Sequence, residues 1–131
     1  MSIFEEVVKL ETAKSLKQKS KQCRYGSEKF DDIGAVLYID NKGLVRKYVV
    51  DREITSHNGI AEYYYDKDGM LRFTKRTIGE NYGLKNEERI YFNEKGEHLY
   101  TDSVERNISG GIAELPDSLA NPNDHFDSLC K

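Results

Sequence analysis

The sequence predicts an α+β fold in which one N-terminal helix packs on a six- or seven-stranded antiparallel β-meander. Three observations predict it. Residues 3–20 carry apolar residues at helical spacing, the middle of the chain contains three similar turn segments, and the stretches between the turns alternate apolar and polar residues. At 131 residues the chain is long enough for one domain with a real core, and we expect a single domain over residues 1–131.

The helix is predicted over residues 3–20. Its apolar stripe begins at Ile3 and ends at Leu16, and Glu and Lys residues fill most of the other positions. Ser2 is the expected N-cap, with Glu5 three residues later in a capping-box arrangement. Because the stripe stops at Leu16, the basic end of the helix is expected to project beyond the core.

The middle of the chain contains three segments with one pattern: an aromatic residue, an apolar residue, Asp or Asn, two polar residues and Gly. They begin at Tyr38, Tyr64 and Tyr91, and their Asp or Asn residues are 26 and then 27 residues apart. This spacing accommodates one β-hairpin and its connection. In each turn the Asp or Asn oxygen should accept backbone N–H bonds, and the Gly should adopt a positive φ. The hairpin sheet is predicted over residues 35–115.

The remaining segments are predicted from their turn residues and composition. Residues 21–34 are predicted to connect the helix to the sheet. Asn58-Gly59 is a strong two-residue hairpin signal. Residues 112–115 are the candidate seventh strand. Residues 116–131 are rich in Asp, Ser, Asn and Pro without a period, so they are predicted to form an acidic coil tail.

Adjacent tyrosines indicate how the sheet is covered. Tyr63 and Tyr65 lie on the opposite face of a strand from Tyr64, so at least one of the three is expected to point outward. This mixed pattern favours a meander with a helix on one face and water on the other.

The segment from Tyr63 to Leu71, which reads Tyr-Tyr-Tyr-Asp-Lys-Asp-Gly-Met-Leu, resembles the YD and MORN-like hairpin repeats of bacterial proteins. The unit of those repeats runs roughly Tyr-x-Tyr-Asp-x-x-Gly-x-Leu. The match is full in this segment and partial in the other two, where Ile39 and Phe92 replace the second tyrosine. The resemblance covers about residues 36–105. It implies a scaffold or a binding surface without catalytic residues.

No pattern of catalytic or ligand-binding residues was found in the sequence. The three histidines are scattered, and none has a second His or a Cys at metal-ligand spacing. The segment from Asp66 to Gly69 is similar to the start of a calcium loop, but Lys75 stands where the loop requires Glu. Nucleotide-binding and nucleophile-elbow motifs are absent from the sequence. We therefore expect no enzymatic activity, no cofactor and no metal site.

Charge and hydropathy narrow the range of partners. The formal net charge is −3, which provides no overall attraction for nucleic acid or anionic lipid. No run of 18 apolar residues is present, so no membrane partner is expected. The first residues lack the pattern of a signal peptide, which indicates a cytoplasmic protein. Removal of a signal peptide would instead make the protein periplasmic or secreted.

The two cysteines, Cys23 and Cys130, are near opposite ends of the chain. In a reducing compartment they would be two free thiols. In an oxidising compartment they would join the N-terminal region to the tail, and such a large loop stabilises by about 4–5 kcal/mol in the chain-entropy description.

These observations favour a non-catalytic protein-binding module of bacterial type, such as an immunity or inhibitor protein, with an unidentified partner. The alternative is a small-molecule or lipid carrier with a pocket between the helix and a curved sheet. An exposed edge strand would also allow a homodimer. Tyr and Arg are the residue types that most often anchor interfaces. The candidate partner-binding residues are Tyr48, Tyr63, Tyr64, Tyr65, Arg72, Phe73, Arg76 and Tyr82.

Overall fold

The computed structural model describes residues 2–24, 32–54, 57–80, 85–104 and 115–129. Within these ranges the helices are α1 (Ile3–Thr12) and α2 (Pro122–Ser128). The strands are β1 (Lys17–Arg24), β2 (Asp32–Ile39), β3 (Val45–Ile54), β4 (His57–Tyr65), β5 (Leu71–Glu80), β6 (Lys85–Phe92) and β7 (His98–Val104). Each strand pairs antiparallel with the next, in the order β1 to β7. The predicted α+β fold with a β-meander is confirmed.

Helix α1 begins where the sequence predicts and ends earlier. The Ser2 side chain accepts a hydrogen bond from the Glu5 backbone N–H, as expected for the N-cap. The helix ends at Thr12, because Lys14 adopts a positive φ of 56° and the Ser15 N–H donates back to the Leu10 carbonyl. The prediction that the helix continues to residue 20 is therefore wrong.

The residues after α1 form an edge strand. β1 pairs with β2 from Lys17 opposite Ile39 to Arg24 opposite Asp32. The predicted connection over residues 21–34 is thus wrong at both ends, because residues 21–24 and 32–34 belong to strands. Local helix preference in this Lys-rich stretch is overridden by pairing with the apolar strand β2, an interaction between residues distant in sequence. Several lysines on an edge strand are typical of natural sheets.

The three Asp/Asn-x-x-Gly segments form turns of the same geometry. In each, Oδ1 of Asp40, Asp66 or Asn93 accepts the backbone N–H groups two and four residues later, at 2.9–3.0 Å. The glycine that ends each turn has a positive φ: +87° at Gly43, +83° at Gly69 and +81° at Gly96. These turns join β2 to β3, β4 to β5 and β6 to β7, so they lie at one end of the sheet.

The turn predicted at Asn58-Gly59 does not lie at these two residues. Asn58 and Gly59 are paired within β4, opposite Glu53 and Arg52 of β3, and so do not form the turn. Residues 55 and 56, which connect the two strands, lie outside the described residues, as do residues 112–114 of the predicted last strand.

Both faces of the sheet are covered near its centre. On one face Val7 of α1 packs with Tyr64 and Phe73. On the other, residues 115–129 pack on a larger core that includes Tyr63 and Tyr65. All three adjacent tyrosines are therefore buried. The predictions of an outward tyrosine and of one face in water are wrong at this position, because a second layer covers the opposite face.

Residues 115–129, here called the C-terminal segment, are held by side chains from the sheet. The hydroxyl groups of Tyr63 and Tyr65 donate to the carbonyls of Pro116 and Leu119. The Lys21 ammonium donates to the Phe126 and Leu129 carbonyls, at 2.9 and 3.2 Å. The predicted coil tail is thus wrong for residues 122–128, which form α2. Asn121 caps this helix and Pro122 occupies its first turn.

Cys23 is disulfide-bonded. The chain has one other cysteine, Cys130, which lies outside the described residues. In the described part of the chain, neither helix has the length and apolar character needed to cross a membrane.

Candidate functional site

A row of mostly aromatic side chains crosses the α1 side of the sheet. The pairing registers place Tyr38, Lys47, Tyr64, Phe73, Tyr91 and Tyr100 opposite one another from β2 to β7. The Lys47 ammonium lies over the Tyr38 and Tyr64 rings, 5.2 and 5.4 Å from their centroids. Neighbouring rings then follow at 5.5 Å (Tyr64 to Phe73), 5.0 Å (Phe73 to Tyr91) and 4.5 Å (Tyr91 to Tyr100).

Helix α1 covers the middle of this row and leaves one end open. It packs on β4 and β5, and the Phe4 ring contacts Tyr64 edge-on at 5.5 Å. Ion pairs fix this position: Arg46 bonds to Glu6, and Lys47 approaches Glu11 at 3.2 Å. Tyr64 is 1% exposed, whereas Tyr100, at the end of the same row, is 56% exposed.

The open end of the row forms a groove beside α1, here called the aromatic groove. Its volume is about 520 Å³. The apolar lining comes from the start of α1 and from strands β5 to β7, and includes Ile3, Phe4, Phe73, Tyr91, Phe92, Leu99 and Tyr100. Leu99 is 58% exposed and Phe4 46% exposed. A contiguous set of large exposed apolar side chains on a protein with a modest apolar content is typical of an interaction site.

Three cationic side chains also line the groove: Arg72, Lys75 and Arg89. Each is oriented by a nearby polar group. Arg72 donates to the Phe92 carbonyl at 3.1 Å and lies 3.5 Å from Asp66. Lys75 and Arg89 lie 3.8 and 3.5 Å from the same carboxylate, Glu87.

The Tyr91 phenol of this stack remains neutral at physiological pH. Partial burial, and next the adjacent Tyr100, raise the pKa of the Tyr91 phenol above its ordinary value. Tyr91 therefore offers an uncharged aromatic surface with a hydroxyl group at its edge, a combination that suits a contact with both apolar and polar groups.

The structure places the predicted binding residues in three environments. Tyr48, Tyr63, Tyr64, Tyr65 and Phe73 are buried. Arg72 and Arg76 are partly exposed, and Arg76 donates to the Leu115 carbonyl and to Glu88, both at 2.8 Å. Tyr82 lies outside the described residues. The four fully buried tyrosines cannot touch a partner in this conformation. Of the seven that lie in the described ranges, Arg72 and Phe73 line the aromatic groove.

Sequence reasoning missed Phe4, Tyr91, Leu99 and Tyr100. A signal for two of them is present in the turn pattern. In each hairpin, the residues two before and seven after the turn Asp or Asn are paired partners in the aromatic row. Applied to Asn93, this rule selects Tyr91 and Tyr100. The exposure of these two rings depends on where α1 lies, which the pattern does not encode.

A second cavity, of about 530 Å³, lies farther from the turns. Its lining is more polar and includes Asp32, Asp51, Glu53 and Thr77. Among the described residues no group of three or more His, Cys, Asp or Glu side chains is arranged to hold a metal ion. The aromatic groove therefore remains the stronger candidate site.

Comparisons with known proteins add no relative. The chain matches no protein-family model, no curated protein and no solved structure. The resemblance of residues 36–105 to YD and MORN-like repeats remains a hypothesis based on the turn pattern alone.

Proposed function

We propose that this protein is a non-catalytic module that binds a partner protein through the aromatic groove. The observation that carries the proposal is the stack between the partly buried Tyr91 ring and the exposed Tyr100 ring, beside the exposed Leu99. Aromatic side chains anchor many interfaces because they bury a large area at low conformational cost. Fully burying one leucine or phenylalanine contributes about 1.5–3 kcal/mol, so contact with these groups would supply a substantial part of a binding free energy.

The same exposure favours a protein partner over the alternative of a small-molecule carrier. Carrier sites bury most of the ligand surface inside an enclosed cavity. In the aromatic groove, Leu99 and Tyr100 are more than half exposed, so the groove is open to solvent and would not enclose a ligand. Inhibition of a toxin or hydrolase, as by a bacterial immunity protein, is the particular form of binding that we propose within this class.

Affinity purification with surface variants tests the proposal. The tagged protein is used to capture partners from cells of its source, and bound proteins are identified by mass spectrometry. We expect one stoichiometric partner that is lost with Leu99→Ser and Tyr100→Ala. Ile60→Ser is the matched control, because Ile60 is another exposed large apolar residue and does not line the groove.

Two results would contradict the proposal. A partner retained equally by all variants would place the binding surface elsewhere. A co-purifying small molecule in the native mass spectrum, with no protein partner, would favour the carrier.

A further inference from the structure

Resting on the proposed function, we infer how the partner protein binds: it adds an antiparallel β-strand to the outer edge of β7, with an aromatic residue opposite Tyr100. The inference rests on a contact that recurs between neighbouring hairpins, on the side chains of the two edge strands, and on the pairing that β7 would make with a second copy of itself.

The first two hairpins, β2–β3 and β4–β5, make the same contact with the hairpin that follows. An arginine six residues after the turn Asp, Arg46 in the first hairpin and Arg72 in the second, lies at a bulge in the strand pairing. Its Nε donates to the carbonyl of the residue before the next turn, Tyr65 or Phe92, at 3.0 and 3.1 Å. The position six residues after the turn Asp therefore faces the next hairpin.

The third hairpin, β6–β7, has an exposed apolar residue at this position. Leu99 is six residues after Asn93, lies at the equivalent bulge and is 58% exposed. The turn Asp, which lies 3.7 and 3.5 Å from the arginine in the first two hairpins, is replaced here by the uncharged Asn93. Terminal units of a repeat array usually carry polar groups on their outer side. The contact position of β7 is instead apolar, which suits an edge that another chain covers.

The two edge strands differ in how well they would accept a further strand. β1 carries Lys17, Lys19 and Lys21, and lysines at a sheet edge discourage pairing. β7 has neither Lys nor Arg, and Tyr100 and Thr101 near its middle are exposed. In the part of the chain that the structure describes, no strand pairs with the outer side of β7. A partner strand would satisfy the backbone N–H and C=O groups on that side.

The repetition also predicts the register of the added strand. In the first two hairpins, pairing with the next strand begins seven residues after the turn Asp, where Lys47 lies opposite Tyr64 and Phe73 opposite Tyr91. The equivalent residue of the third hairpin is Tyr100. The partner strand is therefore expected to pair with β7 from this residue onward and to continue the aromatic row with an aromatic residue of its own.

A second copy of this chain is a poorer occupant of the same edge. If two β7 strands pair antiparallel over the same residues, from Tyr100 to Val104, the central residue Asp102 lies opposite its own copy. Like charges directly opposite each other destabilise a pair of strands. A strand of different sequence, without an acidic residue at that position, avoids this repulsion. The edge is therefore assigned to the partner protein.

Site-specific photo-cross-linking locates the partner segment. The full chain carries p-benzoylphenylalanine in place of Tyr100, or in place of the exposed Ser20 on the other edge strand as the control, and is irradiated in an extract of its source. We expect only the position-100 variant to be cross-linked to another protein, at a segment that alternates apolar and polar residues and contains an aromatic residue.

A backbone N-methylation series then tests strand addition. Synthetic peptides of the cross-linked segment, each methylated at one backbone nitrogen, are compared for binding to the wild-type protein. We expect binding about tenfold weaker at every second position, because alternate residues of an added strand direct their N–H groups toward β7. The positions between them are the matched controls, since their N–H groups point away from β7.

The outcomes separate the inference from the proposed function. If the loss of binding does not alternate, or if the cross-linked segment has helical spacing, strand addition is wrong and the proposed function stands. A cross-link to a second copy, or to another part of the same chain, overturns the inferred occupant. Equal cross-linking at position 20 overturns the assignment to β7. If neither cross-linking nor affinity purification yields a protein partner, both the inference and the proposed function fail.

Discussion

The carboxylate of Asp51 lies on the α1 side of β3, next to Gly34 of β2. The position is close-packed, since a Cβ atom on Gly34 would lie 3.1 Å from Asp51 Oδ1. Partial burial raises the pKa of Asp51 above 3.8, and the Asp32 carboxylate raises it further. The Gly34 backbone N–H, which donates a hydrogen bond to Asp51, acts in the opposite direction without cancelling them. Folding therefore shifts the protonation equilibrium of this side chain toward the neutral form, relative to the unfolded chain.

We predict that Asp51→Asn stabilises the protein at pH 7. A carboxyl group whose pKa is raised by folding contributes stability below its unfolded pKa and loses it as pH rises through the folded value. Asparagine remains neutral and can still accept the Gly34 N–H. The gain in unfolding free energy should stay below about 1 kcal/mol, because solvent screens the site. It should disappear below pH 3.8, the ordinary pKa of the group.

Thermal unfolding at pH 7 and below pH 3.8 measures this difference. Asp68→Asn, in the exposed part of a turn, is the matched control for removing one carboxylate. A gain for Asp51→Asn that is equal at both pH values would show that ionisation is not its cause.

At the scale of the element, each hairpin turn depends on one side-chain oxygen. Asp66 Oδ1 accepts the backbone N–H groups of Asp68 and Met70, at 2.9 and 3.0 Å. Asn93 makes the equivalent two bonds with an amide oxygen. The turn therefore requires the acceptor and tolerates the loss of the charge.

We predict that Asp66→Ala lowers the free energy of unfolding by about 1–3 kcal/mol, since it leaves partly buried N–H groups without their acceptor. Asp66→Asn should cost less than about 1 kcal/mol, because it loses only the partly exposed ion pair with Arg72. Urea unfolding of the two variants measures the difference. Equal losses would show that the turn relies on the charge of Asp66.

At the scale of the whole molecule, the C-terminal segment is held against β1, which lies near the N-terminal end of the chain, and against β3. The Tyr48 hydroxyl and His125 Nδ1 of α2 are 2.8 Å apart, and Phe126 is buried against the sheet. Lys21 of β1 reaches the same segment. Cys23, two residues further along β1, is disulfide-bonded.

We predict that Cys130 is the partner of Cys23 within one chain. Reduction should then lower the free energy of unfolding by about 4–5 kcal/mol, the expected value for a loop of roughly this length. Unfolding with and without reductant measures the loss, and a variant with both cysteines changed to alanine should not respond to reductant. A disulfide-linked dimer on a non-reducing gel, or equal stability in both conditions, would contradict the prediction.

Much of the fold was predictable because its signals are local. The Asp/Asn-x-x-Gly turns, the Ser2 cap and strands β2 to β7 follow from side-chain hydrogen bonds and alternation within a few residues. β1 was not predictable in this way, because its Lys-rich sequence is held by pairing with β2. Helix α2 was also missed, since seven residues give too short a period to recognise.

In the candidate site, too, some features follow from local sequence and others depend on contacts between distant residues. The sequence by itself determined the aromatic row, because each turn places the residues two before and seven after its Asp or Asn opposite each other. Only the tertiary structure decided which members of the row are buried. Contacts between distant residues, such as Glu6 with Arg46, hold α1 over Tyr64 and Phe73, and leave Tyr91 partly exposed and Tyr100 exposed. The physical reason is that turn geometry depends on neighbouring residues, whereas exposure depends on which distant segment covers a face.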